Sequence, residues 1–333
     1  MSAVIPERSV PNSYHGQPVL KEPIWTWEIP TYFFTGGVAG ASAGLACLSE
    51  LRGNEVLARR AWTAAFGGIA VSPLFLISDL GRPMRFINML RMFKVTSPMS
   101  VGSWILSVSG ASTTLAAVNA WTGWFPRSAS VARPTAALFG LPLSTYTAAL
   151  VANTAVPVWH EARRILPFVF GSGAALSAGA AAVIATPPEH AAPARRLALA
   201  GAALELGLNE AMRQQLGEHG EPYKRGTPAK LRLLSGAAIV SGGALLARRG
   251  AGSRAAAVTA GMLMGAGALA ARWTVFKAGF QSASDPKYVV GPQRRMIDRG
   301  ERRGASRRVS NVREVQFDKG SPATAPAPRT AGP

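Results

Sequence analysis

Cysteine and histidine are scarce in this sequence. The single cysteine, Cys47, lies inside an apolar run. One cysteine excludes an intrachain disulfide, a four-cysteine zinc site and an iron–sulfur cluster ligated by this chain alone. The four histidines are His15, His160, His190 and His219, and none falls within a predicted membrane span. A haem b held by two histidines from membrane spans is therefore not expected.

Charged residues are also few. They make up 16% of the chain, against about 25% in soluble domains, and long apolar runs rich in Gly and Ala separate them. This composition is typical of a helical membrane protein with several spans. The net charge is +19, but its cations lie in loops and in the C-terminal region, so we do not expect nucleic-acid binding. The first 24 residues lack an apolar stretch, and a cleaved signal peptide is not expected.

The apolar runs predict an all-α integral membrane protein with eight transmembrane helices. The predicted spans are about 29–48, 61–78, 100–121, 136–157, 165–185, 196–212, 231–247 and 256–276. Residues 1–24 are predicted to be a polar tail, residues 25–280 the transmembrane domain, and residues 281–333 a basic, largely disordered tail. Trp25 and Trp27 precede the first span, where interfacial tryptophans are common. Gly36, Gly40 and Gly44 share one face of that span and predict close helix packing.

The stretch from Ser78 to Trp104 is a polar connection between two apolar runs. It carries Arg82, Arg85 and Arg91, which we expect to lie at the membrane surface against lipid headgroups or a partner protein. An even number of spans puts both termini on one side of the membrane. The loops on that side are the more cationic, so the positive-inside rule places both termini in the cytoplasm.

A few polar residues near or inside the spans are candidates for chemistry, since buried acids in a membrane are costly unless they are paired or protonated. They are Glu28, Tyr32, Asp79, Tyr146 and Glu205. Each also has a purely structural explanation. Tyr32 is also explained as an interfacial aromatic and Tyr146 as a packing residue. Asp79 is also explained by a helix-end ion pair with Arg82, and Glu205 by a hydrogen bond to a neighbouring helix.

Several motifs resemble the NrfD/polysulfide reductase family of membrane subunits. They are Trp25-x-Trp27, Asp79-Leu80-Gly81-Arg82-Pro83 followed by Arg85-Phe86, Ser97-Pro98-Met99-Ser100-x-Gly102-Ser103-Trp104, and Tyr146-Thr147 leading to Val156-Pro157-Val158-Trp159. The likeness covers about residues 25–290. It implies two four-helix bundles without haem, in the plasma membrane. It also implies a quinone or quinol site near the docking face, with menaquinone and ubiquinone both left open.

The resemblance further implies an iron–sulfur, ferredoxin-like partner subunit, and often a molybdopterin catalytic subunit. Tyr32 and Tyr146 match positions that contact quinone in the family, and we add Glu28 and Trp27 as candidate contacts. Asp79 and Glu205 are our candidates for proton relay, because a carboxyl group can carry protons to and from a quinone.

Two other functions remain open from the sequence. A transporter or channel would have a polar cavity at mid-membrane and broken helices. A pure membrane anchor would use its polar groups only to hold the partner. The side on which the partner docks also stays open, because many members of the family dock exported partners outside the cytoplasm.

Overall fold

The computed structural model describes residues 19–82 and 84–298, and the regular structure in these residues is helical. Eight long α-helices are joined by three shorter ones and a 3₁₀-helix. In chain order they are α1 (Glu28–Leu51), α2 (Glu55–Asp79), α3 (Arg85–Leu90), α4 (Pro98–Thr122), α5 (Pro126–Ala152), α6 (Pro157–Glu161), α7 (Leu166–Ala185), α8 (Ala192–Leu216), the 3₁₀-helix Gly217–Lys224, α9 (Gly226–Arg249), α10 (Arg254–Ser284) and α11 (Lys287–Asp298).

Side-chain caps fix the beginnings of three of the long helices. Asn54 precedes α2, Ser97 precedes α4 and Ser253 precedes α10, and each side-chain oxygen accepts a hydrogen bond from the backbone N–H three residues later. These caps satisfy backbone donors that have no partner inside the helix. At the other end of α4, Gly123 adopts a left-handed conformation with φ of 75°, which glycine accepts without strain.

The long helices contact one another in two rings. In the first ring, α1 packs on α2, α2 on α4, α4 on α5, and α5 on α1. In the second, α7 packs on α8, α8 on α9, α9 on α10, and α10 on α7. Contacts of α7 with α1, α2 and α5, and of α10 with α1, join the two rings.

Glycine allows the closest approach within the first ring. A Cβ atom on Gly40 or on Gly140 would collide with the backbone carbonyl of the other, so α1 and α5 cross at these two residues. The predicted face of three glycines is only partly used. Gly44 has open space around its Cα, and Gly36 meets only the Tyr32 ring at 3.7 Å. One glycine of the three therefore sets the helix separation.

Seven of the long helices are long and apolar enough to cross a membrane, counting only the residues described. They are α1, α2, α4, α5, α7, α9 and α10. The sixth predicted span, about 196–212, lies inside α8, which is not among the seven. Its 25 residues include five charged ones, Arg195, Arg196, Glu205, Glu210 and Arg213, which lower its hydropathy.

The predicted tails lie only partly within the described residues. Residues 1–18 and 299–333 are outside them. Within the predicted C-terminal tail, α10 continues to Ser284 and α11 forms a further helix. The connection between α2 and α4 contains α3, in which every residue is at least partly exposed.

Candidate functional site

A narrow crevice lies at one end of the first helix ring. Its wall comes from the beginning of α1, the end of α2, α3, the beginning of α4 and the second half of α5. Its volume is about 60 Å³, and its lining includes Trp25, Tyr32, Asp79, Met89, Met99 and Tyr146 together with aliphatic side chains. Because successive helices run in opposite directions, residues far apart in sequence meet here.

Two tyrosines meet inside the crevice. Tyr32 on α1 is buried, Tyr146 on α5 is partly buried, and their hydroxyl groups hydrogen-bond to each other. The Tyr146 ring lies against Gly102 of α4, where a Cβ atom would collide with the ring. The structure therefore brings together the two residues that the sequence singled out, and it shows why a glycine stands opposite the second of them.

Two carboxylates lie at the mouth of this crevice, bridged by a hydroxyl group. Thr26 hydrogen-bonds to Glu28, and its Oγ1 lies 3.4 Å from an oxygen of Asp79. Asp79 lines the crevice and Glu28 does not. A hydroxyl group has one proton to donate, so it serves one carboxylate at a time. The arrangement links Asp79, in the wall of the crevice, to a second acid outside it.

The two N-terminal tryptophans have different surroundings. Trp27 is 55% exposed, meets Phe75 edge-on and does not line the crevice. Trp25 lines the crevice and stacks on Trp159, with the ring centres 5.7 Å apart. Sequence reasoning had proposed Trp27 as a quinone contact and missed Trp25. Trp25 precedes the first residue of α1, so helical spacing gives no signal that it lines the crevice with Ile29 and Tyr32.

Glu205 lies away from this crevice, in the second ring. It is 1% exposed and faces Arg272 of α10, which is 2% exposed, with the nearest charged atoms 4.0 Å apart. Ser172 and Asn209 hydrogen-bond to Glu205 at 3.3 Å. Arg272 also donates to the Phe170 carbonyl at 2.7 Å.

Sequence reasoning missed Arg272. The signal was present, since Arg272 is the single charged residue in the span predicted at 256–276. A cavity of about 100 Å³ reaches Glu205 from the charged end of α8. Its lining includes Asn209, Arg232 and Tyr223, whose buried hydroxyl has no hydrogen-bond partner among the described residues.

A family model described as polysulfide reductase, of the NrfD type, matches residues 13–285. The chain belongs to this family. The family predicted from the sequence motifs is thereby confirmed, and the protein is a multi-pass membrane subunit of an oxidoreductase. A comparison with curated proteins found no match.

In this polysulfide reductase family member, the three candidate docking arginines lie on the connection between α2 and α4. Arg82, Arg85 and Arg91 are all exposed. Exposed apolar side chains lie among them, including Met84 and Phe93. The connection therefore presents a surface that is both cationic and apolar, at the same end of the helices as the crevice.

The histidine, cysteine and acidic side chains of residues 19–82 and 84–298 form no group of three or more that could hold a metal ion. The groups that do converge in the crevice are hydroxyls, a carboxylate and aromatic rings. These are suited to hydrogen bonding and stacking with a planar organic molecule.

Proposed function

We propose that this subunit binds a quinone or quinol in the crevice and exchanges electrons with an iron–sulfur partner subunit. The observation that carries the proposal is the meeting of the Tyr32 and Tyr146 hydroxyls in a crevice at one end of membrane-spanning helices. A quinone ring needs donors for its carbonyl oxygens inside an apolar wall. The two tyrosines supply such donors, and Trp25 supplies an aromatic face.

Reduction of a quinone takes up two electrons and two protons, and oxidation of a quinol releases them. We propose that Asp79 and Glu28, bridged by Thr26, carry these protons between the crevice and the aqueous surface. A carboxyl group within hydrogen-bond reach of the site suits this task. The tyrosines bind and orient the quinone ring by donating hydrogen bonds to its oxygens. To do so, they must first break the hydrogen bond between their own hydroxyl groups.

The electrons have to pass to or from a partner, since the chain has too few cysteines for a cluster of its own. We propose that the iron–sulfur subunit docks over the connection between α2 and α4 and contacts Arg82, Arg85 and Arg91. A molybdopterin subunit would complete the complex. Docking at this end would bring the partner's cluster near the crevice, as electron transfer requires.

We further propose that α8 crosses the membrane as an eighth span, so that each ring is a four-helix bundle and both termini lie on the cytoplasmic side of the plasma membrane. The support is that α8 packs on both α7 and α9. Its charged residues lie towards its two ends, except Glu205, which pairs with Arg272 inside the ring. Single cysteines at His190 and His219, in a Cys47→Ser background, would test this. Opposite accessibility to a membrane-impermeant thiol reagent is expected, and labelling of both from one side would contradict an eighth span.

Glu205 is proposed as a proton relay in the second ring. The cavity of about 100 Å³ beside it has a mainly apolar wall that also carries polar side chains such as Asn209 and Arg232, and it is large enough for several water molecules. It opens where α8 ends and α9 begins. Water there could link Glu205 to the surface, and the unpaired Tyr223 hydroxyl is placed to hydrogen-bond to it.

The proposed function is tested by Tyr146→Phe in the complete complex. We expect quinol-linked turnover to fall by about tenfold to a hundredfold, because a hydrogen bond to a ring oxygen is lost at a buried site. Tyr288→Phe, outside the crevice, is the matched control. Assembly with the partner should be unchanged in both variants.

Unchanged turnover in Tyr146→Phe would remove the role given to Tyr146. Binding of a quinone analogue to the purified complex separates the proposal from a pure anchor. Failure of the wild-type complex to bind any such analogue would favour the anchor.

A further inference from the structure

A second recess lies next to the crevice on its outer side. It has a volume of about 210 Å³ and is lined by residues of α3, of the α3–α4 connection and of the first turn of α4. Met89 and Met99 line both the crevice and this recess. The two methionines therefore form the partition between an inner and an outer space.

The inner space, which is the crevice, is too small to hold a quinone unless this partition moves. Pockets for organic ligands usually measure about 300–1,000 Å³, whereas the crevice measures about 60 Å³. A quinone ring with its tail does not fit unless part of the wall moves. Methionine is the most adaptable apolar side chain, with three rotatable bonds and no branch. If the two methionines move aside, the combined volume of the crevice and the recess approaches the lower end of the range for ligand pockets.

The two serine hydroxyls of the recess are already engaged. Ser97 accepts the backbone N–H of Ser100, and the Ser100 hydroxyl accepts from the Lys94 backbone N–H and donates to the Met92 carbonyl. The hydroxyl groups therefore hold the connection in shape and are not aimed at a ligand. The other lining side chains are those of Met89, Met92 and Met99, together with the exposed polar side chains of Asn88 and Lys94.

Large apolar side chains are exposed at and beside the recess, next to its polar residues Asn88 and Lys94. Met92 is 68% exposed and Phe93 59% exposed, and Phe93 meets Trp104 edge-on. Exposed apolar side chains of this size are stable where they face lipid or another apolar surface. An isoprenoid chain arrives from the lipid, so this rim suits its entry.

We propose that the outer recess is the subsite for the isoprenoid tail of the quinone, and that Met89 and Met99 form the movable wall past which the ring enters the crevice. The inference rests on the proposed function and adds to it the tail subsite and the entry route. It assigns binding roles to Met89, Met92 and Met99, of which only Met99 lies in a motif named in the sequence analysis.

The tail subsite is tested with Met92→Asp, because Met92 lines the recess and not the crevice. Met84→Asp is the matched control, since Met84 is 74% exposed, lies in the same connection and lines neither space. The full chain in lipid nanodiscs is titrated with two probes, menadione and the same naphthoquinone ring carrying an isoprenoid tail. Quenching of tryptophan fluorescence reports binding.

We expect Met92→Asp to weaken binding of the tailed probe by about tenfold, the effect of losing apolar contact with about two methylene groups. The dissociation constant of menadione should stay within about twofold, because the ring lies in the crevice. Met84→Asp should match wild type for both probes. An equal loss for both probes in Met92→Asp, or no loss for the tailed one, would overturn the tail subsite while leaving the proposed function in place.

The movable wall is tested with Met89→Ile and Met99→Ile. Isoleucine nearly keeps the volume but is branched and stiff. We expect stopped-flow association of both probes to slow several-fold. Association at the wild-type rate in both variants would refute the movable wall. If the wild-type chain binds neither these probes nor the matching pair of benzoquinones, one with and one without an isoprenoid tail, the proposed function and this inference both fail.

Discussion

The buried pair of Glu205 and Arg272, on α8 and α10, provides the sharpest test of what stabilises the second ring. Both side chains are at most 2% exposed. The substitution Glu205→Gln keeps the shape of the side chain but removes its charge. Arg272 is then left as a buried cation without a negative partner, held by the Phe170 carbonyl at 2.7 Å and by the face of the Phe170 ring, whose centre lies 4.3 Å away.

Removing one partner of a buried ion pair costs about 3–5 kcal/mol, because the other charge remains uncompensated. At about 2–4 °C per kcal/mol, the melting temperature of the purified chain should fall by roughly 6–20 °C. The double variant Glu205→Gln/Arg272→Met removes both charges, and replacing a buried pair by apolar or neutral groups is often close to neutral. Most of the lost stability should therefore return in the double variant.

The assay is thermal unfolding in one detergent, followed by static light scattering and tryptophan fluorescence. Glu210→Gln is the matched control, since Glu210 lies on the same helix and pairs with Arg213 at the surface. Exposed ion pairs stabilise little, so its melting temperature should stay near that of wild type. If Glu205→Gln has the same melting temperature as the control, or if the double variant is no more stable than the single one, the interaction of Glu205 with Arg272 is not what stabilises this region.

The remaining predictions concern glycines, each with a control on its own helix. Gly40→Ala should destabilise the chain by about 1–3 kcal/mol through overpacking against α5, whereas Gly44→Ala, with open space around it, should not destabilise it. Thermal unfolding compares the two variants, and equal melting temperatures would contradict the close crossing at Gly40. Gly102→Ala should displace the Tyr146 ring and lower quinol-linked turnover about as much as Tyr146→Phe, whereas Gly110→Ala, which meets only ordinary contact at 3.6 Å, should keep wild-type turnover. Full turnover in Gly102→Ala would show that the position of the ring does not matter.

The sequence predicted the helices and the family well because apolar length and local motifs are properties of consecutive residues. The positions of seven predicted spans coincide with helices capable of crossing a membrane. It could not show which of two neighbouring residues faces the crevice. Trp25 and Trp27 look alike as interfacial tryptophans, yet one lines the crevice and the other is exposed. Which of them turns inward depends on the packing of Trp25 against Trp159, a contact across the whole first half of the chain.

Side-chain pairs in the second ring could not be predicted from the sequence, for the same reason. Glu205 stood out as an acid inside a span, but its partner Arg272 lies 67 positions away on a helix whose alignment with α8 no local pattern fixes. Gly40 and Gly140 are a similar case, since only the crossing of α1 and α5 distinguishes Gly40 from Gly36 and Gly44. Long-range pairing, not helix formation, is the information that the sequence alone does not yield.

The segment that carries the family resemblance also builds the crevice. Ser97 caps α4, and Ser100 ties down the preceding connection. Gly102 leaves room for the Tyr146 ring, and the Ser103 hydroxyl lies 3.7 Å from the sulfur of Met89. Four small residues within seven positions thus fix where α4 begins, the shape of the preceding connection, and the positions of the Tyr146 ring and the Met89 side chain. Substitutions in this segment should therefore affect quinone binding before they affect membrane insertion, because none of the four contributes much of the apolar surface that drives insertion.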